Sequence, residues 1–341
     1  MGGLKFVKVL FLFTGGTIGS TVQGDFIGTD RKKPYLLLES YRRAFGIDFA
    51  YDTATPYTNL SENNTGDTLR VLMASVAEAA KGDYDGIIVT HGTDTMQYSA
   101  AALSYALADV KIPVMIVSSN QPIEHPASNG LPNLRGALRF VAEVGAPGVF
   151  VAYQNEGEPV TVHRGTRLCE SLAYTDAVYS IYNSFYGIFE EGKPFVKNPA
   201  YRELSNEMPA IGAQPLGADC KGILRVSPYP GNPYRPLTSD VRYILHTSYH
   251  SGTVNTESEQ VKAFFAAAKK AGVTTFLTGV APGAAYDSTR FFEEMGILPL
   301  YNIAPIAAFV KLWLLTVRDP EAPVTHEMMQ RSLGGDVVPE P

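Results

Sequence analysis

Two short polar stretches carry the side chains best suited to chemistry, TGGTIGS at residues 14–20 and HGTDTM at residues 91–96. Each sets hydroxyls beside glycines: Thr14 and Thr17 in the first, Thr93 next to Asp94 in the second. A threonine hydroxyl attacks a carbonyl only when a positioned base or relay activates it. Glycine lets a backbone turn sharply or approach a ligand closely, and the threonine hydroxyls stand open as caps, ligand contacts or nucleophiles. TGGTIGS fails the phosphate-loop pattern, since no lysine follows its glycines and their spacing is GGxxG rather than GxGxxG. Taken alone, each stretch also reads as plain architecture. TGGTIGS would be a strand-to-loop turn with capping threonines, and HGTDT a helix start with an acid near the positive helix end.

Other reactive side chains form weaker patterns. Cys169 follows His163 in HRGTRLCES, a stretch that matches no Cys-His nucleophile. Of the six histidines only His246 and His250 share a short spacing, and no Asp or Glu cluster accompanies them. No metal and no cofactor is expected.

The elements that must position these groups alternate along the chain. KVLFLF, GIIVT (86–90), PVMIVSS (113–119) and GVFVAY are nearly continuous apolar runs, as expected of strands buried on both faces. Between them lie helical patterns: YLLLESYRRAF, TGDTLRVLMASVAEAAK, TMQYSAAALSYAL and LPNLRGALRFVAEVG. In TGDTLRVLMASVAEAAK, Leu69, Leu72, Met73, Val76, Ala79 and Ala80 recur with the helical period. The pattern predicts an α/β fold: a three-layer N-terminal domain on a parallel sheet over residues 1–185, and a smaller α/β C-terminal domain over 220–341. Residues 186–219, rich in Pro, Gly and polar side chains, read as a linker, and the closing GGDVVPEP reads as a frayed tail. In the second domain KGILRVSPY, VRYILHTS and TTFLTG read as strands, with helices at ESEQVKAFFAAAKKAG, STRFFEEMG and AAFVKLWLL.

Composition narrows the class. A chain of 341 residues with 45% hydrophobic and 18% charged residues builds a globular protein. A net charge of −6 without a basic run argues against nucleic acid as the main partner. Phe6–Phe13 is too short for a signal peptide, and Ile303–Val317, broken by Pro305 and Lys311, is too short to span a membrane. Two distant cysteines suit a reducing compartment, so a soluble cytoplasmic protein is expected.

Ligands of open parallel sheets bind beyond the carboxyl ends of the strands. TGGTIGS, HGTDTM and SSNQPIEHPASNG (118–130) all fall at such ends, and three polar loops on one sheet edge make a better pocket candidate than any single motif.

TGGTIGS after the first strand and THGTDTM after a later one, in that order, resemble the L-asparaginase family. DYDGIIVTHGTDTMQYSAAALSYAL, KIPVMIVSSNQPI and SNGLPNLRGAL extend the likeness to the bacterial cytoplasmic members. The resemblance implies a two-domain α/β fold and hydrolysis of the asparagine side-chain amide to aspartate and ammonia through a threonine acyl-enzyme. By position, Thr17 would be the nucleophile, Thr93 the second catalytic hydroxyl, and Asp94 the anchor for the substrate ammonium. Backbone N–H groups at Gly16, Gly92 and Thr93 would meet the oxyanion. Ser61 and Glu62, in NLSEN, would bind substrate. Asn255, in HSGTVN, matches a position that reaches a neighbouring subunit's site, implying a homodimer or homotetramer.

The chain departs from the family pattern at several points. The tyrosine of the loop after the first motif is replaced by Phe26 in GDFIG, with Tyr35 as the candidate substitute. The lysine that completes the Thr-Asp pair aligns with Glu170, and the nearest cations are Arg164 and Arg167. A glutamate beside Asp94 would raise one carboxyl by repulsion, and an arginine does not deprotonate to act as a base. Leu60 takes one carboxylate-binding position, and Asn129 stands where the family usually has aspartate. Glutamine, a D-amino acid amide or a peptide-linked amide therefore stand beside asparagine as substrates. The alternative is an amino-acid-binding relative on the same fold that does not hydrolyse its ligand.

Overall fold

The computed structural model describes residues 6–16, 18, 20–23, 26–29, 34–47, 49–283 and 286–340; for 20–23, 26–29 and 34–35 it describes the backbone. Eight strands form the first sheet: β1 (Lys8–Phe13), β4 (Ala50–Ala54), β5 (Gly86–Thr90), β6 (Pro113–Val117), β7 (Gly148–Gln154), β8 (Val160–Arg164), β9 (Gly187–Phe189) and β10 (Val196–Lys197). A separate hairpin, β2 (Ser20–Gln23) with β3 (Phe26–Thr29), follows the first loop. The order across the sheet is β10-β9-β8-β7-β6-β5-β1-β4.

Side chains alternate across a strand, and here each face has its own apolar core. Leu10, Leu12, Ile87, Val89, Val114 and Ile116 enter one core, while Val9, Phe11, Ile88, Met115 and Val117 enter the other. The first core is covered by α2 (Gly66–Ala79) and α3 (Met96–Ala106), the second by α1 (Pro34–Phe45) and α4 (Gly130–Arg139). Both faces being buried explains why β5 and β6 are apolar at nearly every position.

The second sheet is parallel throughout: β11 (Ile223–Val226), β12 (Tyr243–Thr247), β13 (Thr274–Val280) and β14 (Ile297–Tyr301). α5 (Glu259–Lys270) covers one face with Val261, Phe264 and Phe265. α7 (Pro305–Arg318) covers the other and packs on α3, so one apolar core runs between the sheets. Every residue from Ile306 to Thr316 is buried. That accounts for its all-round apolar sequence.

Four features differ from the sequence pattern. β4, β1, β5, β6 and β7 are mutually parallel, but β8 pairs antiparallel with β7, β9 with β8 and β10 with β9. Part of the segment read as a linker therefore belongs to the sheet: β9 and β10 are a hairpin whose Phe195 packs on Phe140, Tyr186 and Phe189. Strands this short leave no readable alternation. The segment read as a frayed tail is buried at Gly334, Gly335 and Asp336. Asp336 forms an ion pair with Lys311 of α7 at 2.8 Å, with both side chains fully buried. It also accepts a hydrogen bond from Tyr105 of α3. Gly334 O and Gly335 O accept from Thr166 Oγ1 and Arg167 Nε. The partners of this tail lie far away in the chain, so local composition gave no sign of them. STRFFEEMG likewise forms a 3₁₀ turn (Asp287–Phe291) and a one-turn α6 (Phe292–Met295), and α8 (His326–Gln330) follows later.

Candidate active site

β1 and β5 are neighbours in register, Phe13 opposite Thr90, so the loops that follow them start side by side. Thr14 closes that junction: its hydroxyl donates to Thr90 O at 2.5 Å, and its N–H reaches Thr90 Oγ1. Thr14 is thus a structural residue. Burial pushes the neighbouring Tyr57 phenol up to about 12, an effect the Thr14 hydroxyl opposes.

The chain then turns through Gly16, at φ 78°, whose N–H donates to Asn59 O. A Cβ on Gly16 would lie 2.2 Å from Gly92 N, and one on Gly92 would lie 2.4 Å from Ser61 Oγ. Both positions therefore demand glycine, because Gly16 meets the Gly92 backbone and Gly92 meets the Ser61 side chain where three loops converge. Those loops are 14–16, 59–64 and 91–95. Thr17 lies outside the described residues.

Hydrogen bonds tie the loops together. Ser61 Oγ donates to Asp94 Oδ2 at 3.0 Å, and Thr95 Oγ1 donates to Ser61 O at 2.9 Å. Asn64 Nδ2 donates to Thr95 Oγ1, and Asn59 Nδ2 to Asn64 Oδ1. Ser61 is buried at the start of a 3₁₀ turn (Ser61–Asn63), while Glu62 in the same turn is exposed. Among the described residues, Asp94 has no cation within ion-pair distance, and neither the N–H nor the hydroxyl of Thr93 has a hydrogen-bond partner.

His91 sits beneath the turn. Its N–H donates to Val117 O, its O accepts from Ser118 Oγ, and its ring contacts Gly92 O and Ser99 Oγ, each at 2.8 Å. Burial lowers its pKa and keeps the imidazole neutral. The third loop is held by Asn129, whose Oδ1 accepts from Asn120 N and whose Nδ2 donates to Gln154 O.

Among the remaining sequence candidates with described side chains, none makes a hydrogen bond or ion pair to Asp94. Glu170 pairs with Arg225 of β11 at 3.4 Å, and Arg225 also donates to Tyr98 OH at 2.8 Å. Arg167 is fully buried and donates to Gly335 O and Arg202 O, with its guanidinium over the Tyr201 ring. Arg164 pairs with Glu203 at 3.0 Å. Asn255 Oδ1 accepts from Glu257 N and Ser258 N and so shapes the approach to α5; it makes no bond to Ser61, Thr93 or Asp94 of its own chain. Phe26 lies in β3 and Tyr35 in α1, with their side chains outside what is described. Among the described residues no group of three or more His, Cys, Asp or Glu could hold a metal, and no helix is long and apolar enough to cross a membrane.

Sequence reasoning missed His91, Asn64 and Thr95. His91 looked like a lone loop histidine, yet HGTDT placed it one residue before the turn it supports. The asparagines of NLSENNT, read only as far as Glu62, were the available signal for Asn64.

A doubly covered parallel sheet with glycine-rich loops at its carboxyl edge, and a Thr-Asp turn among them, defines an α/β enzyme-type site. The family model for the asparaginase N-terminal domain matches residues 8–200. The chain belongs to the asparaginase family. It is 29% identical to an L-asparaginase of Thermococcus kodakarensis, over 97% of this chain and 99% of that one. It is 27% identical to a glutamyl-tRNA(Gln) amidotransferase subunit of Pyrobaculum aerophilum, over 95% of this chain and 81% of that one. Among solved structures, the thermostable L-asparaginase from Thermococcus kodakarensis superposes with a TM-score of 0.75 at 22% identity, covering 98% of this chain and all of that one. L-asparaginase I from Vibrio cholerae gives 0.76, also at 22%, covering 98% and 99%.

Proposed function

We propose that this chain is a side-chain amidohydrolase whose leading substrate is L-asparagine. The observation that carries the reading is the Thr93–Asp94 turn. Asp94 is oriented by Ser61 with carboxylate capacity left for a cation, and the adjacent Thr93 N–H and hydroxyl have no partner among the described residues. A carboxylate there suits a substrate ammonium, and an unpaired N–H suits an oxyanion.

In this reading Thr17 Oγ attacks the amide carbon and its proton leaves with the nitrogen. The tetrahedral oxyanion meets the N–H groups at Gly92 and Thr93. Gly16, whose own N–H is held by Asn59 O, supplies the turn beside Thr17. Collapse breaks the C–N bond, releases ammonia and leaves an ester on Thr17. Water then cleaves the ester, regenerating the hydroxyl and freeing the acid. Thr93 serves as the second hydroxyl, and Ser61 and Glu62 line the substrate's amino-acid end. Asn255 serves a neighbouring copy, as a homodimer or homotetramer. The free Cys169 and Cys220 agree with a cytoplasmic setting.

The relatives that are amidotransferase subunits support glutamine as a competing amide. A second reading, ligand binding without turnover, is favoured by Glu170: it is engaged by Arg225, and no described cation stands beside Asp94. Ammonia release from asparagine, glutamine, D-amino acid amides and a peptide amide separates these readings. The hydrolase reading expects release that Thr17→Ala abolishes and Thr93→Val strongly reduces. Full activity in Thr17→Ala overturns the nucleophile. Binding of asparagine or aspartate with no ammonia from any amide selects the second reading.

A further inference from the structure

We propose that His91 is a positioning residue: it fixes the plane of the Gly92–Thr93 peptide and so aims the Thr93 N–H into the site. The inference rests on the amidohydrolase reading for its catalytic consequence, but its geometry can be tested without turnover. His91 Nδ1 lies 2.8 Å from Gly92 O, which only accepts, so Nδ1 carries the ring proton. Nε2 is then the acceptor, and it faces Ser99 Oγ at 2.8 Å and Asn64 Nδ2 at 3.5 Å, both able to donate. One tautomer thus satisfies every neighbour of the ring.

The peptide between Gly92 and Thr93 is trans, since there is no cis bond among the described residues. In a trans peptide the C=O and N–H point in opposite directions within one plane. Drawing Gly92 O toward the buried imidazole therefore turns the Thr93 N–H the other way, where it meets no acceptor among the described residues. A glycine peptide is the one most free to rotate, and Gly92 is required by its contact with Ser61. The clamp supplies the restraint that a side chain at this position cannot. The main chain that carries the ring is anchored too, because the His91 N–H donates to Val117 O and its O accepts from Ser118 Oγ.

Two substitutions separate the clamp from mere filling of space. Asparagine places an amide nitrogen where Nδ1 stands, and glutamine places one where Nε2 stands. H91N keeps a donor for Gly92 O and gives up Ser99; H91Q does the reverse while filling more of the histidine volume. With asparagine as substrate, H91Q is expected to lose kcat on the order of 10²-fold, the scale of a lost oxyanion donor. KM should change little, and H91N should lose much less. If H91Q equals or exceeds H91N in kcat, or if both losses follow their melting temperatures, the clamp is wrong. The turnover-free readout is the long-range proton–nitrogen spectrum of wild-type imidazole nitrogens, together with the Thr93 amide resonance. An Nδ1–H tautomer, with a Thr93 amide that shifts in H91Q but not in H91N, supports the clamp even if no amide is hydrolysed. In that case the amidohydrolase reading alone falls. An Nε2–H tautomer in wild type overturns the clamp whatever the activity.

Discussion

The strand-end site and the buried junction at the C-terminus use similar side chains in opposite ways. At the junction Lys311 gives its three protons to Met329 O, Arg331 O and Asp336. Asp336 in turn accepts from Lys311, Tyr105 and Leu333 N, with no exposure to solvent. At the site Asp94 accepts one side-chain hydrogen bond, from Ser61, and Thr93 has none among the described residues. A saturated polar cluster rigidifies; one with free capacity is arranged to receive something. The contrast separates architecture from chemistry more sharply than residue type does.

The largest effect should come from breaking the saturated cluster. Lys311→Met leaves Asp336 buried without its cation, and Asp336→Asn leaves Lys311 in the same state. Either is expected to cost about 3–5 kcal/mol in urea unfolding. The double variant should cost less than the two singles added, because neither charge is then stranded. Simple additivity would show that the pair is not coupled and that the contrast is misdrawn.

Asp94→Asn inverts that result. It removes charge from the unsaturated cluster, so stability should stay within about 1 kcal/mol while kcat/KM falls by about 2–3 kcal/mol, the scale of a charge-assisted hydrogen bond. A stability loss matching that at Lys311 would make Asp94 a structural residue. Acid probes the interior more broadly. Burial lowers His246 to about 4, and its folded form therefore disfavours the proton. Above its ordinary value of 6.5 both folded and unfolded states are neutral and the group contributes nothing. As pH falls from 6.5 toward about 4, the unfolded chain takes up a proton that the fold does not, and stability declines. At pH 5 this amounts to about 2 kcal/mol for this histidine, with His91 and His163 acting in the same direction. A urea midpoint no lower at pH 5 than at pH 7 would contradict these burials.

How legible these regions were in the sequence follows from where their partners lie. KVLFLF, GIIVT and PVMIV announce buried parallel strands because burial on both faces leaves almost no polar position, and their following loops then fall at one edge. Gly16 and Gly92 were readable as close-approach glycines, and their mutual contact explains why both motifs need them. Asp336 was unreadable as a core residue: GGDVVPEP is locally polar, and Lys311, Tyr105 and Thr166 are brought to it only by the fold. Asn64 and His91 were hidden for a related reason, since a hydrogen-bond network among three loops has no sequence period. The role given to Thr17 rests on its motif, because that residue lies outside the described ones.

The smallest expected effect concerns Glu170, and it tests whether the site reaches further than Asp94. Its partner Arg225 comes from β11, stacks near Phe309 and donates to Tyr98, one helical turn beyond the Thr93–Asp94 turn. The Glu170 and Arg225 side chains are 51% and 33% exposed, so the pair is screened by water and contributes at most about 1 kcal/mol to stability. Glu170→Gln should therefore leave the melting temperature and kcat nearly unchanged. Glu170→Lys is the sharper variant, because it restores the residue type that the family pattern places here while removing the partner of Arg225. If Glu170 stands apart from the chemistry, both variants behave alike in ammonia release. A large gain in kcat for Glu170→Lys alone would extend the unsaturated cluster across to this loop, and the boundary between chemistry and architecture would have to move with it.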